Sequence, residues 1–131
     1  MGLDNGIIAR KTNIEEIDAK LRALSTYVYN NGDFEIAYWR KCWNVRSAII
    51  DSLDYFTDNC GSEVSHEELI RIIAALEGFN AENWEEDDGW GSIWEWNEIE
   101  ESMKECIGRL HELSNLMEQH TEIAAEFYDS Y

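Results

Sequence analysis

Apolar residues recur at three- and four-residue steps along much of this chain, the spacing that lines one face of an α-helix. Ile14, Ile17, Leu21, Leu24 and Val28 form the first such set, with Thr12 and Glu15 placed as a capping box ahead of it. Asn30-Asn31-Gly32 follows, and both residue types tolerate the left-handed conformation of a helix stop. The pattern predicts a helix over 13–25. Residues 26–36 read two ways. They continue helical, or Thr26-Tyr27-Val28-Tyr29 and Phe34-Glu35-Ile36 form a hairpin around Asn31-Gly32. Gly6-Ile7-Ile8-Ala9 has the character of a short strand.

Further along, Asp33 is placed to cap a helix over about 34–57 with Trp39, Cys42, Ile49, Leu53 and Phe56 in one stripe, closed by Cys60-Gly61. Ser65 and Glu68 form a second capping box, followed by Leu69, Ile72, Ile73 and Leu76 and a stop at Gly78. Residues 79–91 carry no helical pattern. A third box, Ser92 to Glu95, opens the longest helix, expected within 92–129. Its stripe is Trp96, Ile99, Met103, Cys106, Leu110, Leu113, Met117, His120, Ala124 and Phe127, with a weak point at Gly108. A seam this long suits a bundle spine or a coiled-coil-like homodimer contact near His120. The expected fold is mainly α: one domain over 1–131, a helical bundle with one long C-terminal helix and a short β element near the N-terminus.

Composition narrows the class. The chain has 131 residues, 44% of them hydrophobic and six of them Trp, too apolar for a disordered acidic tail. No apolar run approaches the roughly 20 residues of a membrane span. The first residues lack the charged and apolar regions of a signal peptide, and Gly6 stands where a myristoylation site wants Ser or Thr. Cys42, Cys60 and Cys106 are widely spaced with no metal-ligand pattern, which suits reduced thiols in a cytoplasmic protein. Net charge is −18, and it is unevenly spread. Residues 1–50 hold seven Lys/Arg and six Asp/Glu; residues 51–131 hold three and 22. Such a field disfavours direct contact with nucleic acid or an anionic membrane and steers toward basic partners, although it also simply confers solubility.

Catalytic signatures are absent: no phosphate-binding glycine loop, no HExxH, no nucleophile elbow, no EF-hand loop. A di-iron bundle would need paired Glu-x-x-His, but Gly108 and Met117 stand three residues before His111 and His120. No enzyme, metal or cofactor is expected. Two surfaces stand out instead. Glu82, Glu85, Glu86, Asp87 and Asp88 cluster around Trp84 and ahead of Trp90, as a solvated loop or as carboxylates with apolar anchors for a basic groove. Tyr38, Trp39, Arg40, Lys41, Trp43 and Arg46 form the one basic, aromatic patch. There Arg46 falls along the apolar stripe, where it needs either an internal carboxylate or a ligand phosphate, with Trp39 or Trp43 stacked on a base.

The start Met1-Gly2-Leu3-Asp4 and the stretch Glu35-Ile36-Ala37-Tyr38-Trp39-Arg40-Lys41 resemble a family of small uncharacterised proteins encoded by bacteriophages and prophages. Cys42 and Trp43 depart from the small and polar residues that usually follow the Lys. The resemblance implies a phage context and no reaction. Combined with the charge, it gives a leading expectation of a non-enzymatic accessory protein. Such a protein binds a basic surface of a host or defence factor in the host cytoplasm, presenting carboxylates where phosphates would sit, in the manner of an anti-CRISPR inhibitor. A nucleotide-signal binder built on Trp39, Arg40 and Arg46 is the alternative, and an assembly protein dimerising through the long helix is a third.

Overall fold

A computed structural model describes residues 3–57, 60–85 and 94–131. Among these, nine elements follow one another: strand β1 (Asp4–Ala9), helix α1 (Glu15–Leu24), β2 (Tyr27–Val28), β3 (Phe34–Arg40), α2 (Trp43–Ser52), β4 (Gly61–Val64), α3 (His66–Glu77), α4 (Trp96–Gln119) and β5 (Ala125–Ser130). The strands join in one antiparallel sheet of order β2-β3-β1-β5-β4. This mixed α/β architecture overturns the expected helical bundle.

Two elements account for the difference. The helix expected over 34–57 is a strand followed by a shorter helix. Phe34, Ile36, Ala37 and Trp39 are buried on the inward face of β3, where the register shifts opposite Ile7 and Ile8. That bulge leaves Ile36 as an extra residue and gives the strand apolar spacings that imitate a helical period. Lys41, at φ 56°, then breaks the chain direction before α2. The second element is the tail of the long helix. α4 stops at Gln119, His120 is already extended at φ −131°, and the last five expected helical positions, 125–129, lie in β5. Ala125, Phe127 and Asp129 point inward there, while Glu126 and Tyr128 alternate outward, the period of two that a half-buried strand shows.

Of the two readings for 26–36, the structure has the hairpin: β2 pairs with the start of β3 around a turn at Gly32, φ 95°. Thr12 does not box with Glu15. Its N–H and hydroxyl donate to Asp18, and Ile14 is the N-cap of α1. The Ser65–Glu68 box forms as read, with both reciprocal bonds. Ser92 lies outside the described residues, and the box that opens α4 is Glu95 with Glu98.

One sheet face is covered and the other is open, the usual condition of an antiparallel sheet. Ile7, Phe34, Ile36, Trp39, Val64 and Phe127 project into a core closed by Leu21 of α1, Ile49 of α2, Leu69, Ile72 and Leu76 of α3, and Met103, Leu110 and Leu113 of α4. The apolar seam of α4 is therefore spent inside the chain against α1, α3 and β3, and the dimer contact expected from its length loses its basis. α4 also guards an edge. β2 reaches only Glu35 and Phe34, and beyond it the Ile36 carbonyl accepts from Arg109 Nε at 2.7 Å and the Arg40 carbonyl from Trp94 Nε1 at 2.6 Å. Side chains thus stand in for a missing strand.

Candidate functional site

The acidic loop is only partly available as a binding surface. Glu82 and Glu85 are exposed, but Trp84 is 5% exposed. Its Nε1 donates to the Trp94 carbonyl at 2.9 Å, and its ring lies 5.2 Å from Phe79 and 5.6 Å from Trp96. A core ring cannot act as the exposed anchor foreseen for it. Asn44 pins the loop to α2 by bonding both the N–H and the carbonyl of Glu85. Glu86, Asp87, Asp88 and Trp90 lie outside the described residues.

The basic, aromatic patch is divided by the sheet. Trp39 points inward at 2% exposure, while Tyr38 and Arg40 lie on the opposite, open face, where the Tyr38 hydroxyl donates to Asp4. Trp39 cannot stack on an external base without opening the core. The Lys41 N–H bonds to the Leu3 carbonyl at 2.6 Å. Trp43 and Arg46 do come together. Arg46 Nε donates to Asp129 Oδ2 at 2.9 Å, and the guanidinium sits 5.4 Å from Trp43, 5.3 Å from Phe56 and 5.1 Å from Tyr131. This is the internal carboxylate that a stripe-facing Arg requires.

Asn5 and Asp129 escaped the sequence reading, because an inward polar residue is recognisable only once its strand is known. Register sets Asn5 beside both Trp39 and Asp129 on the covered face. Asn5 Nδ2 donates to the Trp39 carbonyl at 3.3 Å, whereas Asn5 Oδ1, Trp39 Nε1 and Asp129 Oδ1 have no partner among the described residues. The row Trp39–Asn5–Asp129–Arg46 is a buried polar seam within an otherwise apolar layer.

Another acidic surface lies on α4. Glu98, Glu101, Glu105 and Glu112 are all exposed, and their spacing of three, four and seven residues puts them on one stripe, roughly opposite the buried one. Gly108 occupies the intervening position, and nothing among the described residues beyond its own stretch of helix lies within 4 Å of where its Cβ would be. The stripe runs for about 21 Å at 1.5 Å per residue. Lys104, 3.9 Å from Glu100 and 4.0 Å from Glu101, is an exposed cation of the kind that neutralises little. Arg109 is turned away toward β3.

On the open sheet face, Tyr29 and Tyr128 both donate to Glu35. Burial, reinforced by that carboxylate, pushes the Tyr29 phenol up to about 12. Burial and Asp4 do the same to Tyr38. The Cys42 thiol is pushed up to about 12 by burial, and burial also raises that of Cys106, so neither is a ready nucleophile. Among the described residues no group of three or more His, Cys, Asp or Glu is arranged to hold a metal ion, and no helix is long and apolar enough to cross a membrane. Compared with protein-family models, curated proteins and solved structures, the chain matches none.

Proposed function

We propose that this protein is a non-enzymatic binding protein whose acidic face occupies a basic groove on a partner protein. The observation that carries this reading is the exposed stripe of Glu98, Glu101, Glu105 and Glu112, with exposed Lys104 beside Glu101 as a weak counter-charge, on a helix held rigidly by its opposite face. Carboxylates fixed about 4.5, 6 and 10.5 Å apart along a helix axis, by the rise of about 1.5 Å per residue, make a linear array of negative charge. A groove built for a phosphate backbone accepts such an array, and long-range attraction speeds its encounter. The acidic loop, with exposed Glu82 and Glu85, contributes charge to the same field rather than an aromatic anchor. The resemblance of residues 35–41 to phage-encoded proteins supports a host or defence factor as the target.

Immobilised protein should capture a basic, nucleic-acid-binding protein from bacterial lysate at low salt. It should release that protein as ionic strength rises past the point where the screening length falls below about 10 Å. Capture that survives molar salt would argue for an apolar interface and against this reading.

A further inference from the structure

The two edges of the sheet are treated differently. β3 is guarded by β2 and by side chains around α4, whereas β4 pairs with β5 on one side, and no backbone group of Gly61–Val64 has any other partner among the described residues. Among the described residues the one further bond to this strand is to a side chain, Thr57 N–H to Ser62 Oγ at 3.2 Å. In an antiparallel edge strand every second residue turns its N–H and C=O outward, and such groups template another strand.

Charge selects the occupant. Glu63 of β4 stands directly opposite Glu126 of β5 on the open face, a like-charge pair that costs stability. Glu126 is already ion-paired with Arg10, whose charge also acts on Glu63 from a greater distance. A cation opposite Glu63 on a sixth strand would relieve the repulsion. A second copy of β4 would instead bring another Glu63 against the first. Two cavities flank the edge, of about 470 and 520 Å³, and both include Glu63. Asp54 and Tyr55 line the first, with Tyr55 87% exposed, and Glu118 lines the second. An incoming segment thus meets carboxylates at both ends of the strand and an exposed ring at one.

We propose that β4 is a docking edge that receives an extended basic segment of the partner as a sixth antiparallel strand, with a Lys or Arg opposite Glu63. This rests on the reading of the protein as a binder of basic partners and adds the backbone pairing that gives such binding a register.

The test uses a capped Lys-Val-Lys-Val-Lys-Val peptide, the same peptide N-methylated at alternate amides, and a Glu-Val counterpart, followed by amide exchange and chemical shifts. The Lys-Val peptide should slow exchange of the outward β4 amides about tenfold or more. The N-methylated form should not, and Glu63→Lys should transfer the preference to the Glu-Val peptide. Shifts confined to Glu98–Glu112 with β4 unchanged would overturn the docking edge while leaving the acidic-face reading intact. No binding of the Lys-Val peptide anywhere would overturn both. Equal binding of the N-methylated peptide, or a concentration-dependent dimer protecting β4 without peptide, would also sink the proposal.

Discussion

Arg46 joins α2 to β5 by donating to Asp129 at 2.9 Å across 83 positions of sequence, and the Asp129 side chain is completely buried. Removing one member of such a pair leaves the other charge without compensation, at a cost of about 3–5 kcal/mol, whereas replacing both by apolar residues is often neutral. Arg46→Met should lower unfolding free energy by about that much. Adding Asp129→Leu should restore most of it. Urea unfolding of the two variants checks this, and an unchanged Arg46→Met would mean that the carboxylate is solvated.

Gly6 and Gly108 should respond to Ala with opposite signs. A Cβ at Gly6 would meet the Ala37 carbonyl oxygen at 2.6 Å and Tyr128 Cε1 at 2.9 Å, so backbone must move. The expected loss is about 1–3 kcal/mol, the range for overpacking. At Gly108 a Cβ meets nothing within 4 Å among the described residues beyond its own stretch of helix, and Ala in a helix interior gains roughly 0.5–1 kcal/mol over Gly. Melting temperatures of the two single variants decide both signs.

Glu68 should contribute to acid sensitivity. Burial works to raise its pKa, but the N–H groups of Ser65 and Asp54, the Ser65 hydroxyl and Arg71 together outweigh burial and lower it. A lowered folded value means that the carboxylate stabilises the fold above the ordinary value of 4.5 and loses that contribution as pH falls below it. The stability gap between wild type and Glu68→Gln should therefore be constant near neutrality and close under acid. A gap independent of pH would contradict this role.

At alkaline pH the tyrosines govern. With Tyr29 and Tyr38 raised from 10.0 to about 12, their contribution is whole below pH 10 and is lost as pH climbs toward 12. Phenolate absorbance should show a late step, and Tyr29→Phe should shrink it. Titration of every tyrosine near pH 10 in the folded protein would exclude the Glu35 and Asp4 contacts in solution.

The sequence was most legible where local chemistry and tertiary packing agree. The Ser65–Glu68 box, the Leu69-to-Leu76 stripe and Gly78 specify α3 without help from elsewhere. It was least legible where pairing with distant strands decides the outcome. β3 and β5 both take their conformation from β1, at the opposite end of the chain from β5, and the apolar steps around Trp39 and Phe127 satisfy a helical count equally well. The candidate sites follow the same division. The need of Arg46 for an acidic partner is visible from its place on a stripe, but Asp129 as that partner is not. Trp84 reads as a loop residue and is a core residue, because Phe79 and Trp96 reach it from flanking segments.

Two variants of equal net charge test the central claim most directly. One replaces Glu98, Glu101, Glu105 and Glu112 by Gln; the control replaces Glu15, Glu16, Glu67 and Glu122, which are also exposed. Binding of each to the basic protein captured from lysate would be measured across ionic strength. If α4 presents the recognition surface, its variant should bind at least about tenfold more weakly at low salt, each 1.4 kcal/mol being tenfold, with a flatter salt dependence, while the control changes little. Equal losses in the two variants would show that only total charge matters, and would contradict the assignment of α4 as the binding face.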